Sequence, residues 1–304
     1  MNQMIDFLIF PGLLFTAVCG MLASFVDRKV TARVQWRKGP PLFQPVYDFV
    51  KLMGKEMVVP SGAHLLTFLA APLFGLSAIV SVSIIVWNAL SGGSAGFSGD
   101  LIVVVYLLAI PSIAVIMGGF ASNNPIASLG ASREMKLMLA YELPFILAVM
   151  VTVIKTGSIN MTHVVRAQAG AGASAVAGSP SGIIALAVAV FCIQAKLGLV
   201  PFDIPEAEQE IIAGPLIEYS GPALGVIKLT RWMMLFVVPS FAVAVFFPSS
   251  TFAGNILRYV LLLVVAILLR NTNPRVRIDQ AIKFFWFYTG PVSLLAVGLA
   301  LAGK

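Results

Sequence analysis

LLTFLAAPLFGLSAIVSVSIIVWNA, residues Leu65–Ala89, runs for 25 positions without a charged side chain. A helix of that length rises roughly 37 Å at about 1.5 Å per residue, more than the ~30 Å hydrocarbon core of a bilayer. Inside hydrocarbon every backbone N–H and C=O must be bonded within its own segment, so such a run reads as a membrane-spanning helix. The whole chain has the same character: 59% of its 304 residues are hydrophobic and 11% are charged, whereas a soluble domain carries about a quarter charged residues. An all-α integral membrane protein is the expected fold class.

On either side of this run, the pattern gives about eight transmembrane helices in one polytopic domain, residues 1–304. The other seven are Phe7–Val26, Leu101–Phe120, Met135–Thr156, Ile183–Val200, Pro222–Phe247, Ile256–Leu269 and Phe284–Leu301. The seventh span is short enough to need snorkelling flanks, and Pro144 removes a donor from the fourth and should kink it. The connections at about 27–64, 121–134 and 270–283, with Lys136 just past the end of the second, gather Arg28, Lys29, Arg33, Arg37, Lys38, Lys51, Lys55, Arg133, Arg270, Arg275, Arg277 and Lys283. The opposite side holds Lys155, Arg166, Arg258 and Lys304. By the positive-inside rule these connections, and with them 201–221, face the cytoplasm. Both termini then lie outside a prokaryotic cytoplasmic membrane. The start, Met1–Asp6, lacks the basic region of a cleavable signal peptide.

The net charge of +7 sits in short loops rather than along one soluble face, which argues against nucleic acid as a partner. Cys19 and Cys192 stand alone in apolar runs, and His64 and His163 fall in loops on opposite sides, so no metal site is expected in this chain. Dinucleotide, Walker and Ser-His-Asp patterns are missing too, and no cofactor is expected in it. Trp36, Trp87, Trp232 and Trp286 fall near span ends, where aromatic belts occur. Gln168–Gly182, rich in Ala, Gly and Ser, reads as a flexible external loop. In the first connection Val46, Phe49, Val50, Met53 and Met57 recur at helical spacing opposite Asp48, Lys51 and Lys55. Such a helix lies in the membrane interface or against a soluble partner.

The polar residues need more explanation than the apolar ones. FDIPEAEQEIIAG, Phe202–Gly214, collects Asp203, Glu206, Glu208 and Glu210 out of only 13 acids, and Glu218 follows. Asp203-x-x-Glu206 with Pro205 fits a capping box, which leaves Glu208 and Glu210 unexplained. No lysine or arginine lies between Lys196 and Lys228, and clustered like charges favour retention of a proton. A solvated acidic loop, a docking surface and a proton-holding cluster all fit that pattern. Glu142, in LAYELPF, lies about two turns inside the fourth span, where a carboxylate marks a proton path by default. The structural alternative is an ion pair with Arg133, Lys136 or Lys228. Arg231 is a further candidate counter-charge.

Four segments carry a resemblance: DRKVTARVQWRKGPPLFQPVYDFVKLMGKE (Asp27–Glu56), GGFASNNPIASLGASREMKLMLAYELP (Gly118–Pro144), FDIPEAEQEIIAGPLIEYSGP (Phe202–Pro222) and LLRNTNPRVRIDQAIKFFW (Leu268–Trp286). In this order, among eight spans, they resemble the membrane subunit of respiratory complex I known as subunit one and its relatives in membrane-bound NiFe hydrogenases. The compact GPPLFQP turn at Gly39–Pro45 and the run SREMKLMLAYE look more like the energy-converting hydrogenase branch. The resemblance implies a membrane anchor that couples electron transfer in an attached hydrophilic arm to ion translocation. The implied partners are a large NiFe-type and a small iron–sulfur subunit, which would hold the NiFe centre and the iron–sulfur clusters, together with antiporter-like membrane subunits and the bilayer. It implies a proton relay of Glu142, Asp203, Glu206, Glu208, Glu210 and Glu218. It also implies docking of the soluble arm by Arg275, Arg277 and Asp279, with Arg28, Arg33, Arg37 and Lys38 as further candidates. A quinone-reducing complex I-like dehydrogenase is the alternative. A standalone secondary transporter and a passive anchor are competing readings, and the latter predicts that Glu142→Gln leaves coupling intact.

Overall fold

The computed structural model describes residues 2–92, 96–169 and 176–303, without the side chains of residues 2–4, 208 and 209. Among these the secondary structure is helical throughout. Helices α1 (Asn2–Leu8) and α2 (Leu13–Val34) form the first pass, and α3 (Gln44–Met53) lies in the connection to α4 (Leu65–Leu90). The third pass is divided into α5 (Asp100–Leu107) and α6 (Ile110–Ala121), and α7 (Pro125–Thr156) is the fourth. After α8 (Met161–Ala169) come α9 (Pro180–Lys196), the short α10 (Glu208–Ile211), α11 (Gly221–Phe246), α12 (Phe252–Thr272), α13 (Ile278–Lys283) and α14 (Gly290–Leu301).

Seven of the passes are long and apolar enough to cross a membrane, and α9 is a shorter apolar helix of 17 residues, at the lower limit for a spanning helix. The chain is a multi-pass membrane protein. The pass expected to be short, Ile256–Leu269, is a full 21-residue helix, because Thr251 caps its start by accepting from the Gly254 N–H. Leu101–Phe120 is not one continuous helix. Pro111 has no N–H for the Leu107 carbonyl, and the helix breaks at Leu108–Ala109. The connection expected at 121–134 shrinks to a turn, since Asn124 accepts from Ile126 N–H and starts α7 ten residues ahead of the expected Met135.

Alternate connections share an end of the bundle. At one end His64 N–H donates to the Ala121 carbonyl, Asn124 to Glu218, and Val276 N–H to the Pro201 carbonyl. At the other, Met161 N–H donates to Asp100, Arg166 to the Gly92 carbonyl and Gln168 to the Val245 carbonyl. Gln168 is thus a buried helical residue rather than part of a loose loop, and 170–175 of that expected loop lie outside the described residues.

Helix α11 forms the axis of the bundle. It is buried for nearly its whole length and packs on α2, α3, α4 and α12. Trp87 and Trp232 belong to this core, at 9% and 7% exposure, and do not form a belt. Trp36 and Trp286 are exposed. Helix α3 lies on α11 through Phe49, Leu52 and Met53 around Gly225, leaving Val46 and Val50 exposed. Its Asp48 does not face away: it accepts from Arg28 at 2.9 Å and from Gln44. Burial alone would raise the Asp48 carboxyl, but those two hydrogen bonds and the charges of Arg28 and Lys228 outweigh it and hold the group below the usual carboxylate range.

Candidate functional site

A chamber lies at the end of the bundle that carries the acidic segment, beside Pro72 of α4 and Pro111 of α6. In α4, Pro72 cannot donate to the Phe68 carbonyl, and the Tyr219 hydroxyl takes that acceptor at 2.9 Å. Burial pushes the Tyr219 hydroxyl upward, so it stays a donor at neutral pH. This bond draws the acidic segment down between the helix ends. It also requires Gly118 in α6, where any Cβ would overlap the Tyr219 hydroxyl. Gly130 in α7 is needed for the same packing, because a Cβ there would sit 2.6 Å from Pro215.

The resulting cavity, of about 70 Å³, is bordered by Pro72, Ser112, Glu134, Lys196, Asp203, Glu206, Thr230 and Arg231, among others. That volume has room for several waters, each needing about 10–15 Å³, among ample polar partners. Three acids from two elements meet two bases here, although they are spread over about a hundred residues of sequence. Glu206 forms a two-pronged ion pair with Arg231 of α11. Glu134, half-buried, borders the same cavity as Ser112, Arg231 and Lys196. Ser112 in turn lies 3.3 Å from the hydroxyl of Tyr141, which is fully buried.

Lys196 joins the chamber to the membrane interior. Its side chain is fully buried, its Nζ donates to Glu142 at 2.9 Å, and it lies 5.2 Å and 4.9 Å from the rings of Tyr141 and Phe145. Its place at the last residue of α9 adds the favourable end of the helix dipole. Glu142 and Glu134 stand two turns apart on α7, about 12 Å along its axis. Glu206, Arg231, Glu134, Ser112 and Lys196 thus border one chamber, and Lys196 reaches from it to Glu142 in the fourth pass.

Several expected pairings are corrected. Glu142 is paired with Lys196, not with Arg133, Lys136 or Lys228. Arg133 donates to Glu210 at 2.5 Å, Lys136 is exposed, and Lys228 is exposed and acts on Asp48. The acids of the loop are not an uncompensated cluster either. Asp203 pairs with Arg275 at 2.8 Å, Glu206 with Arg231 and Glu210 with Arg133, because the bundle brings in cations from α7, α11 and the 273–277 turn. Glu218 accepts from Asn124, and the Glu208 side chain lies outside the described residues. The expected capping box is absent: Asp203 precedes a single 3-10 turn, Ile204–Glu206, without a side-chain cap. Of the docking candidates, Arg28 is taken up by Asp48 and Arg275 by Asp203, while Arg277 and Asp279 are exposed.

Sequence reasoning missed Glu134 and Lys196, yet a signal for Lys196 existed. It lies inside the apolar run 183–200, where a cation calls for a partner. Glu134 lies one residue ahead of the expected start of its span, and the earlier helix start carries it into the bundle. Asp27, 6% exposed, is a second buried acid with a cation partner, Arg270 at 2.6 Å, a pair that ties α2 to α12 away from the chamber.

The NADH dehydrogenase family model matches residues 7–301 of the chain. The NADH-quinone oxidoreductase H subunit of Brevibacillus brevis is 32% identical, covering 96% of this chain and 91% of that protein. Its counterpart in Dehalococcoides mccartyi strain CBDB1 is also 32% identical, over 92% of this chain and 81% of that protein. Among solved structures, a chain of the membrane-bound sulfane sulfur reductase, an archaeal respiratory membrane complex, superimposes with a TM-score of 0.89 at 26% identity. That match covers 99% of this chain and 100% of the other.

Proposed function

The chain belongs to the NADH dehydrogenase family, that of complex I subunit 1, and on that footing we propose that it is the membrane-anchor and proton-relay subunit of a redox complex. The observation that supports this is the cavity whose Glu134, Lys196, Asp203, Glu206 and Arg231 connect the loop face with Glu142 in the fourth pass. A hydrophilic arm sits on the face formed by the connections, where Arg277 and Asp279 are exposed to meet it. A charge change in the arm alters the hold of Arg231 on Glu206. A proton then passes through chamber water to Glu134 and, by way of the Ser112 and Tyr141 hydroxyls, to Glu142, while Lys196 shifts between the two carboxylates. Neighbouring antiporter-like subunits take the proton onward.

The energies are commensurate. Moving one charge against ~180 mV costs about 4 kcal/mol, and opening a buried ion pair costs about 3–5 kcal/mol. One pair such as Lys196–Glu142 can therefore hold the energy of one translocated charge.

For the arm we propose a ferredoxin-dependent NiFe hydrogenase with its NiFe centre and iron–sulfur clusters outside this chain, in a prokaryotic cytoplasmic membrane with both termini outside. Support comes from the compact turn at Gly39–Pro45 and the run Ser132–Glu142. A quinone-reducing arm is the second reading, favoured by the curated relatives, which are subunits of NADH-quinone oxidoreductases. Purification of the intact complex in mild detergent separates the two. Nickel with hydrogen evolution from reduced ferredoxin supports the first, and quinone reduction without nickel replaces it with the second. The relay itself is tested in proteoliposomes: Glu142→Gln abolishes proton movement coupled to electron transfer, and full coupling in that variant would refute it.

A further inference from the structure

A separate feature of α2 points to a ligand unrelated to the relay. Where α2 ends, Lys29, Arg33, Arg37 and Lys38 border a cleft of about 380 Å³ together with Trp36 and Gly39. The lining contains four cations and no acid, and none of the four forms an ion pair among the described residues. The neighbouring polar groups are already used: Arg28 by Asp48, Asp27 by Arg270, and Thr31 by Asn271. Nothing among the described residues balances this charge, so its complement is an anion from outside the chain.

The level and the surroundings of the cleft identify the anion. Lys29 and Arg33 lie on the last two turns of a membrane-spanning helix, and Trp36 beside them is 98% exposed. Trp36 is held in the left-handed region at φ 58° by the turn that ends α2. An exposed tryptophan ring there sits at headgroup depth. Leu14, Val18 and Leu22 are 57%, 56% and 47% exposed, and Lys29 and Arg33, about two and three turns past Leu22, lie on the same helix face. Leu22 and Val18 lie about 10 and 16 Å below Lys29 along the axis, close to the ~15 Å depth of one leaflet's hydrocarbon.

We infer that this face of α2 is a binding site for an anionic glycerophospholipid, with the phosphate held by Lys29, Arg33, Arg37 and Lys38 and the acyl chains lying on Leu22 and Val18. An acidic soluble partner or a free phosphate would satisfy the cations but would leave the apolar stripe below them without a role. For Arg33, Arg37 and Lys38 the lipid replaces the soluble-arm contact that the sequence suggests. The site is independent of what the arm reduces.

The test uses the whole complex, delipidated in detergent and titrated with micelles of phosphatidylglycerol or phosphatidylcholine, with bound lipid counted by mass spectrometry and the melting temperature followed. Wild type retains phosphatidylglycerol at least fivefold over phosphatidylcholine and melts higher with it. R33Q/R37Q/K38Q loses that preference while keeping its partner chains, and R33K/R37K retains it. Equal retention of the two lipids by wild type overturns the proposal, and that result does not depend on any variant folding. The proposal also fails if R33Q/R37Q/K38Q sheds its soluble chains with lipid unchanged, which makes the face a protein-docking site. Equal protection by inorganic phosphate would make it a free-anion site and overturn the lipid.

Discussion

Replacing Glu142 with Gln removes the one carboxylate bonded to Lys196 among the described residues and leaves an ammonium group with a fully buried side chain. Its remaining neighbours are the faces of Tyr141 and Phe145, which cannot replace an ionic partner, and Glu134 in the chamber, which does not form an ion pair with it in this arrangement. Breaking a buried pair from one side costs about 3–5 kcal/mol, whereas exchanging both partners for neutral groups of similar volume is near neutral or stabilising. Glu142→Gln should therefore lower the melting temperature of the detergent-solubilised complex, on the order of 10 °C at about 2–4 °C per kcal/mol. Adding Lys196→Met, which keeps the unbranched stem, should restore most of that loss. Coupling separates the relay from mere structure. In proteoliposomes both E142Q and E142Q/K196M should transfer electrons without moving protons, the second from a well-folded complex. If E142Q melts with wild type, or if Lys196→Met gives no recovery, the described pairing is wrong. If the stable double variant moves protons at the wild-type ratio, the carboxylate is not in the path.

Other expectations follow from the same geometry. Glu134→Gln should preserve assembly, because Arg231 keeps Glu206, yet slow coupled proton uptake about tenfold or more, as read from pH-dye kinetics. Tyr219→Phe leaves the Phe68 carbonyl without its donor at a cost of about 1–3 kcal/mol, and Gly118→Ala should act in the same direction; limited proteolysis at 201–221 reports both. The Asp48 carboxyl is held low by Arg28, Gln44 and Lys228, so its contribution is present above the ordinary carboxylate value of about 3.9 and is lost only as pH falls through the lower folded value. Protease protection of α3 should accordingly be flat from pH 8 to about 5, and Asp48→Asn should weaken it by no more than about 1 kcal/mol at this half-exposed site.

The distribution of information between chain and fold is visible in particular residues. Helix class, pass order and the grouping of the connections follow from local quantities, since an uncharged run such as Leu65–Ala89 has no other stable form in lipid. Pro111 and Asn124 also act locally, but their effects, a broken third pass and an early start to the fourth, depend on which weak signal prevails at a helix end. Glu142 was legible as an acid at membrane depth, and the loop acids as a group needing an explanation.

What the chain alone left open was partnership. Glu142 and Lys196, Glu210 and Arg133, and Asp203 and Arg275 are 54, 77 and 72 positions apart, and composition carries no term for contact across such separations. An ion pair depends on distance as the reciprocal, and on burial still more strongly, so its existence is decided only when helices settle against one another. That is why Asp203, Glu206 and Glu210, in a stretch with no lysine or arginine of its own, are paired in the folded molecule with cations from three other elements. Residue order was enough to require that a costly set of charges enter the membrane. Which of them meet, around a chamber made by Pro72, Gly118 and Tyr219, was left to the packed bundle, because only close packing fixes the distances on which electrostatics act.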